Sequence, residues 1–180
     1  MSSPPARVPR TDRRALKATV AVLIILASAG LDQGTKSLAR ARLEGNPPVA
    51  AVGGLVSLLW VENVGAFLSL GAQLPRPARM VAFIAFPLIV LGLMIGTLVR
   101  RRGVGWGTLT GLSLIAGGGA GNLIDRIFRD GRVGDFILLG LGRLHTGVLN
   151  VADLTVLAGC VVLLLAPSRP RGTAKETPGA

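Results

Sequence analysis

The sequence predicts an α-helical integral membrane protein with four transmembrane helices and a small extracytoplasmic β platform between helices one and two. Three observations support this prediction. Half of the 180 residues are hydrophobic, the uncharged stretches are long, and the basic residues are distributed unequally between those stretches. The chain is therefore expected to be organised around apolar spans rather than around a soluble core.

Four uncharged runs mark the predicted spans. They cover residues 18–31, 80–99, 103–124 and 154–166. A membrane-spanning helix needs about 20 mostly apolar residues, and the second and third runs reach that length on their own. The first and fourth runs reach it only by including Asp32 and Asp153, so these carboxylates are expected inside the ends of the spans. Pro87 is expected to distort helix two.

The net charge of +11 is spread unevenly along the chain. Bases cluster at residues 7–17, 100–102 and 169–176, where only Asp12 and Glu176 are acidic. This is the pattern of cytoplasmic segments, so both termini are predicted to be cytoplasmic. The basic flanks suit membrane lipids with anionic headgroups. Two Trp and no Tyr are too few for base-stacking platforms, so no nucleic acid partner is predicted.

The chain is predicted to form one membrane domain between two tails. Residues 1–14 and 168–180 are expected to be disordered cytoplasmic tails, and residues 15–167 the four-helix domain. Between helices one and two, residues 44–77 combine turn signals with a β-rich stretch, which predicts the platform. The apolar residues 136–139 are expected to dip back into lipid.

Carboxylates gather near the ends of the third and fourth spans. Four of the nine acidic residues lie between residues 117 and 153, namely Asp125, Asp130, Asp135 and Asp153. Ionisable groups next to hydrocarbon are costly and point to function. We predict that Asp135 and Asp153 converge from two elements and form a proteolytic pair.

Other polar residues fall at helical spacing around these acids. Asn122 lies three residues before Asp125 and four before Arg126, and Asn150 lies three before Asp153, so each group shares one helix face. Asparagine amides can hydrogen-bond a carboxylate or the main chain of a substrate.

Helix one carries a further charged pair. Asp32 and Lys36 are four residues apart, so they are expected to pair on one helix face. Such a pair at a helix end is either snorkelling charge or a group that orients the substrate backbone.

Two close carboxylates cannot both ionise cheaply, so one keeps a proton and the pair titrates as a unit. The pair supplies a general base for water and a general acid for the leaving amine. This chemistry needs neither metal nor cofactor, and one cysteine with one histidine gives no metal cluster. Taken alone, the acids fit an ion pathway equally well. A small proton or cation transporter is therefore the alternative hypothesis, and a non-catalytic membrane adaptor is a third.

Five short motifs occur in a fixed order along the chain. They are Asp-Gln-Gly-Thr-Lys at 32–36, Asn-Val-Gly-Ala at 63–66, Gly-Gly through Asn-Leu-Ile-Asp-Arg at 117–126, Val-Gly-Asp-Phe at 133–136 and Asn-Val-Ala-Asp at 150–153. In these motifs the chain resembles lipoprotein signal peptidase, or signal peptidase II, a family of bacterial membrane aspartic proteases. The resemblance covers residues 15–167.

The resemblance implies that Asp135 and Asp153 are the catalytic dyad. It implies a substrate-binding role for seven further residues: Asp32, Lys36, Asn63, Gly65, Asn122, Arg126 and Asn150. The implied substrates are diacylglyceryl-modified prolipoproteins, cut just before the lipidated cysteine, and the implied inhibitor is the cyclic peptide globomycin. The implied location is the bacterial inner membrane, with the active site near the outer leaflet.

The sequence departs from the family pattern at a few positions. Phe67 and Leu68 replace residues of an Ala-Ala-Phe-Ser stretch, Leu149 stands where Phe is common, and Gly134 replaces Val. These differences bear on the packing of the platform and leave both aspartates in place.

Overall fold

The structure, a computed structural model, describes residues 10–65, 71–100, 104–141 and 144–166. Within these ranges the chain forms four long helical segments and one four-stranded antiparallel sheet. The predicted tail at residues 168–180 and residues 1–9 of the other tail lie outside the described residues. Residues 10–14 are helical rather than part of a tail, because they are mostly good helix formers that extend a long helix.

Helix α1 runs from Arg10 to Leu43 and has 34 residues. At 1.5 Å per residue it is about 51 Å long, more than the hydrocarbon thickness of about 30 Å. Helix α2, Arg76–Arg100, contains a π-helical turn at Val81–Ala85. This turn comes just before Pro87, whose ring and missing N–H disturb the preceding helical turn.

Among the described residues, two helices are apolar enough to cross a membrane by length and composition, Arg13–Leu43 within α1 and Arg76–Arg100. None of the most apolar window of α2 is buried inside the protein, and Phe86 and Leu93 are more than 60% exposed. Such an exposed apolar surface suits lipid rather than water. The helices and the small sheet agree with the predicted fold class, and four transmembrane helices remain a prediction.

Helix α3, Trp106–Phe128, packs against the other three helices. Four of its glycines leave no room for a side chain, namely Gly111, Gly117, Gly118 and Gly121. A Cβ on Gly117 would lie 2.6 Å from Ser28 Cβ, and one on Gly118 would lie 2.5 Å from the Ala152 carbonyl oxygen. Small residues allow such close approach between membrane helices. Helix α3 therefore draws α1 and the fourth helix close to itself.

The sheet has four strands in the order β1-β2-β3-β4, with antiparallel neighbours. The strands are β1 Val49–Ala51, β2 Val56–Asn63, β3 Val133–Leu141 and β4 Leu144–Leu149. Only β1 and β2 come from the predicted platform between helices one and two. Residues 136–139 belong to β3, and that they dip back into lipid stays a prediction. A short apolar run does not reveal its structure by periodicity, and here its backbone pairs with the neighbouring strands.

The sheet is attached to the helices at two places, one in β3 and one at the end of β4. Phe136 of β3 packs against Ala39 and Leu43 of α1. Asn150 follows β4 directly and caps helix α4, Val151–Leu165. Since successive strand side chains point to opposite faces, the anchored Phe136 directs Asp135 away from the α1 contact and towards the start of α4.

Candidate active site

Asp135 is buried in β3, with 4% of its surface exposed. Its Oδ1 accepts a hydrogen bond from Asn150 Nδ2 at 2.6 Å, and its Oδ2 accepts one from Asn63 Nδ2 at 3.1 Å. Burial raises the pKa of Asp135 from 3.8 to about 6, although the two amide donors act in the opposite direction. This carboxyl therefore keeps its proton to a higher pH than an ordinary aspartate.

Asp153 lies in the first turn of α4. Its Oδ1 accepts from Asn122 Nδ2 at 2.9 Å, and its Oδ2 accepts from the Asn150 backbone N–H at 3.1 Å. In return, the Asp153 backbone N–H donates to Asn150 Oδ1 at 3.0 Å, which completes a capping box. The carboxylate thus faces two N–H donors and the positive end of a helix.

Asn150 connects the two acids. It is fully buried, and its side-chain amide donates to Asp135 while its backbone N–H donates to Asp153. The same amide also donates to Asn122 Oδ1 at 3.0 Å. The two predicted dyad residues therefore meet at one residue, although they come from a strand and a helix.

A small cavity of about 30 Å³ opens between these groups. A space of this size is large enough for a water molecule. Its lining includes seven of the nine predicted site residues: Asn63, Gly65, Asn122, Arg126, Asp135, Asn150 and Asp153. The other two, Asp32 and Lys36, do not line it.

The loop after β2 is held at the cavity by Arg126. One Arg126 amino group donates to the Gly65 carbonyl oxygen at 2.8 Å, and the guanidinium lies over the Phe83 ring at 5.4 Å. The Gly65 backbone N–H donates to Asn63 Oδ1 at 2.9 Å. Asn63 thus joins this loop to Asp135, to which its amide nitrogen donates.

Lys36 is fully buried beneath the cavity. Its Nζ lies 2.8 Å from Asp32 Oδ2 and 2.8 Å from Asp125 Oδ2, and it donates to Asn122 Oδ1 at 2.9 Å. The predicted pairing of Asp32 with Lys36 is confirmed. Because Lys36 and Asn150 both donate to the Asn122 oxygen, the Asn122 amide nitrogen is left to face Asp153.

The two carboxylates that pair with Lys36 also accept hydrogen bonds from the backbone next to Asp135 and Asp153. Asp125 Oδ2 accepts from the Gly134 N–H at 3.2 Å, and Asp32 Oδ1 accepts from the Ala152 N–H at 2.9 Å. Gln33, which sequence reasoning did not single out, donates to Asp125 Oδ1 at 3.2 Å. Its only signal was its place in the motif at residues 32–36.

Comparison with known proteins identifies the family of this chain. The sequence model of signal peptidase (SPase) II matches residues 24–168. The chain belongs to the signal peptidase II family. The lipoprotein signal peptidase of Rhodococcus jostii (strain RHA1) is 36% identical over 97% of this chain and 84% of that protein. The lipoprotein signal peptidase of Leifsonia xyli subsp. xyli (strain CTCB07) is also 36% identical, over 87% of this chain and 72% of that one.

The fold of this signal peptidase II family member is similar to that of a bacterial membrane enzyme determined by the in meso method at 2.3 Å resolution. The TM-score is 0.70 at 22% sequence identity, over 81% of this chain and 85% of the other. A second bacterial membrane enzyme, determined by the same method at 1.9 Å, gives a TM-score of 0.68 at 21% identity. Together with the exposed apolar helices, family membership identifies the chain as a membrane-bound aspartic peptidase.

The departure at Gly134 has a structural reason in Trp60. A Cβ on Gly134 would lie 2.3 Å from Trp60 Cη2, so the indole occupies the space of a side chain at that position. We expect Gly134→Val to lower the unfolding free energy by about 1–3 kcal/mol, because the new side chain must displace either strand β3 or the Trp60 indole. Trp60→Leu in the same protein should restore much of the loss, as measured by thermal unfolding in detergent. Equal losses in the single and double variants would contradict this account.

Proposed function

We propose that this peptidase removes signal peptides from diacylglyceryl-modified prolipoproteins and cuts just before the lipidated cysteine. Family membership supports signal-peptide cleavage from prolipoproteins. The assignment of Asp135 and Asp153 as the catalytic dyad rests on one observation in particular. Both carboxylates bond to Asn150 at the edge of a cavity that accommodates a water molecule.

The proposed reaction uses a water molecule between the two acids. Asp153 takes a proton from this water, and the water oxygen attacks the scissile carbonyl carbon. At the same time Asp135 gives its proton to the carbonyl oxygen. In the resulting tetrahedral diol, Asp153 returns its proton to the amide nitrogen and the C–N bond breaks. Asp135 takes a proton from one hydroxyl, which leaves a carboxylic acid and restores the single proton of the pair.

The surroundings of each acid support this division of roles. Burial lets Asp135 keep its proton to a pH of about 6, which suits a general acid. Asp153 faces two N–H donors at a helix N-terminus, which suits the partner that begins as a carboxylate. Both roles belong to one coupled pair.

The remaining predicted site residues divide into two groups. Asn63, Gly65, Asn122, Arg126 and Asn150 line the cavity, and we assign them to substrate binding and to holding the acids. By contrast, Asp32 and Lys36 are fully buried and bonded to protein groups. We assign these two to positioning of Asn122 and the start of α4 rather than to substrate contact.

The proposed topology has four spans, cytoplasmic termini and an active site at the outer leaflet of the bacterial inner membrane. Transfer of a diacylglyceryl group from water into lipid is favourable by about 0.8 kcal/mol of free energy for each buried CH₂. The lipid anchor would hold the scissile bond at the level where strand β3 meets α4. The sheet offers main-chain groups with which an extended peptide can pair.

A gel-shift assay tests this proposal. Purified protein should cleave a prolipoprotein that carries diacylglyceryl and leave its unmodified counterpart intact, and globomycin should block cleavage. Asp153→Asn should reduce cleavage below detection. Glu44→Gln removes an exposed carboxylate that pairs with Arg40 and should cleave like the wild type.

Three results would count against the proposal. Cleavage by Asp153→Asn would reject the dyad, and equal cleavage of both substrates would reject the lipid requirement. Absence of cleavage by folded wild-type protein would reject the peptidase assignment and direct attention to proton or cation flux in proteoliposomes. The comparisons with known proteins give that transporter hypothesis no support.

A further inference from the structure

A second cavity, of about 360 Å³, lies between the start of α2 and the end of α3. Its lining combines basic and apolar side chains, among them Arg76, Arg79, Phe83, Ile84, Arg126 and Ile127. Arg126 lines this cavity as well as the smaller one at the dyad. The two cavities therefore share one wall, but nothing in the proposed peptide cleavage uses Arg76 or Arg79.

The second cavity carries an excess of positive charge. Arg76 pairs with Asp130, which also lines it. Arg79 contacts the Ala72 carbonyl oxygen at 3.5 Å, and within the described part of the chain it has no carboxylate partner. The Nε atom of Arg126 is buried and has no hydrogen-bond partner among the described residues. Asp135, Asp153 and Asp125 also act on the charge of Arg126 from the neighbouring site. Arg79 is therefore the cavity arginine whose charge is left unbalanced among the described residues.

The position of these arginines in α2 points to the membrane surface. Arg76 and Arg79 lie in the first turn of a helix whose residues 80–99 are uncharged and exposed enough to face lipid. The start of such a helix lies at the level of the lipid headgroups. In the proposed topology this is the extracytoplasmic side, where membrane proteins carry fewer basic residues. An anion at this level would balance the charge.

We propose that the second cavity binds the headgroup of an anionic phospholipid. Its phosphate contacts the Arg79 guanidinium through charge-assisted hydrogen bonds, and its acyl chains run along Phe83 and Ile84 towards the exposed face of α2. The diacylglyceryl group of a prolipoprotein is neutral and leaves the charge of Arg79 unbalanced, so charge favours the phospholipid as occupant. The proposal concerns binding and does not depend on the proposed peptidase activity.

The test is a titration of purified full-length protein in detergent with short-chain phosphatidylglycerol and with phosphatidylcholine, read by native mass spectrometry. Phosphatidylglycerol should bind more tightly than phosphatidylcholine. Arg79→Gln should weaken phosphatidylglycerol binding about fivefold, the effect of one basic residue at a membrane surface. Arg79→Lys keeps the charge and should retain most of the affinity. Arg42→Gln removes an exposed arginine at the sheet end of α1, outside the cavity, and should bind like the wild type.

Several outcomes would overturn the assignment. They are equal affinity for the two lipids, unchanged phosphatidylglycerol binding in Arg79→Gln, or the same loss in Arg42→Gln. If a diacylglyceryl peptide displaces phosphatidylglycerol and Arg79→Gln raises the KM for that peptide by the same factor, the cavity belongs to the substrate instead. Thermal unfolding of Arg79→Gln and Arg79→Lys distinguishes a loss of phosphatidylglycerol binding from a loss of the folded structure.

Discussion

Replacing Lys36 with Met is expected to lower the free energy of unfolding by about 3–5 kcal/mol. The Lys36 ammonium is fully buried and lies 2.8 Å from each of two buried carboxylates, Asp32 and Asp125. Met fills a similar volume, but it leaves both carboxylates in the interior without this cation. The lost ion pairs matter less than the cost of two buried negative charges close together, of which Asp125 keeps Arg129 Nε at 3.4 Å. Thermal and denaturant unfolding in detergent, followed by circular dichroism, measure the loss.

Arg40→Met is the matched control on the same helix. Arg40 pairs with Glu44 at the same four-residue spacing, but the side chains are 45% and 48% exposed, so its removal should change the stability far less than Lys36→Met does. Adding Asp125→Asn to Lys36→Met should recover part of the stability, since it removes one unbalanced charge. A Lys36→Met protein as stable as Arg40→Met would contradict the importance of the buried cluster.

The sequence reveals interactions that follow from helix periodicity. The spacing of Asp32 and Lys36 predicts their pair because residues four apart share a helix face, and the structure confirms it. The same spacing does not predict that Asp125, far along the chain, shares this lysine. Contacts of that kind depend on how closely α1 and α3 pack, which the glycines of α3 control.

Strands β3 and β4 could not be predicted in the same way. Residues 136–139 are uniformly apolar, so their periodicity does not distinguish a strand from a segment that dips into lipid. Their structure is decided by pairing with β2, which lies more than 70 residues earlier. That pairing brings Asp135 opposite Val61 and next to Asn63. The position of one predicted catalytic residue therefore depends on a register between distant segments.

Asp135→Asn is expected to abolish cleavage and to stabilise the fold at neutral and alkaline pH. Burial raises the pKa of Asp135 from 3.8 to about 6, so the folded protein prefers the protonated carboxyl more than the unfolded chain does. The stabilising effect of this preference is complete below pH 3.8 and is lost as the pH rises through about 6. Above that pH the wild type holds a buried carboxylate at a cost on the order of 2–3 kcal/mol.

Asparagine is neutral at every pH and avoids this cost, but it also has only one acceptor oxygen. The oxygen can accept from Asn150, while the amide nitrogen faces the Asn63 amide nitrogen, so about 1 kcal/mol of hydrogen bonding is lost. The net gain at pH 8 should be about 1–2 kcal/mol. The difference in unfolding free energy between Asp135→Asn and wild type should grow as the pH rises from about 4 to about 6.

Unfolding of both proteins in detergent from pH 4 to pH 8 measures this difference. Carboxylates that do not interact with Asp135 cancel, whereas the coupled Asp153 contributes to it. Glu44→Gln, which removes an exposed carboxylate outside the site, is the control for the loss of a carboxylate as such. If Asp135→Asn is less stable than the wild type at pH 8, the amides of Asn63 and Asn150 stabilise the carboxylate by more than burial costs it. Asp135 would then start as the base, and Asp153 would supply the proton to the scissile carbonyl. The same pH series therefore tests how the proton is shared between the two acids.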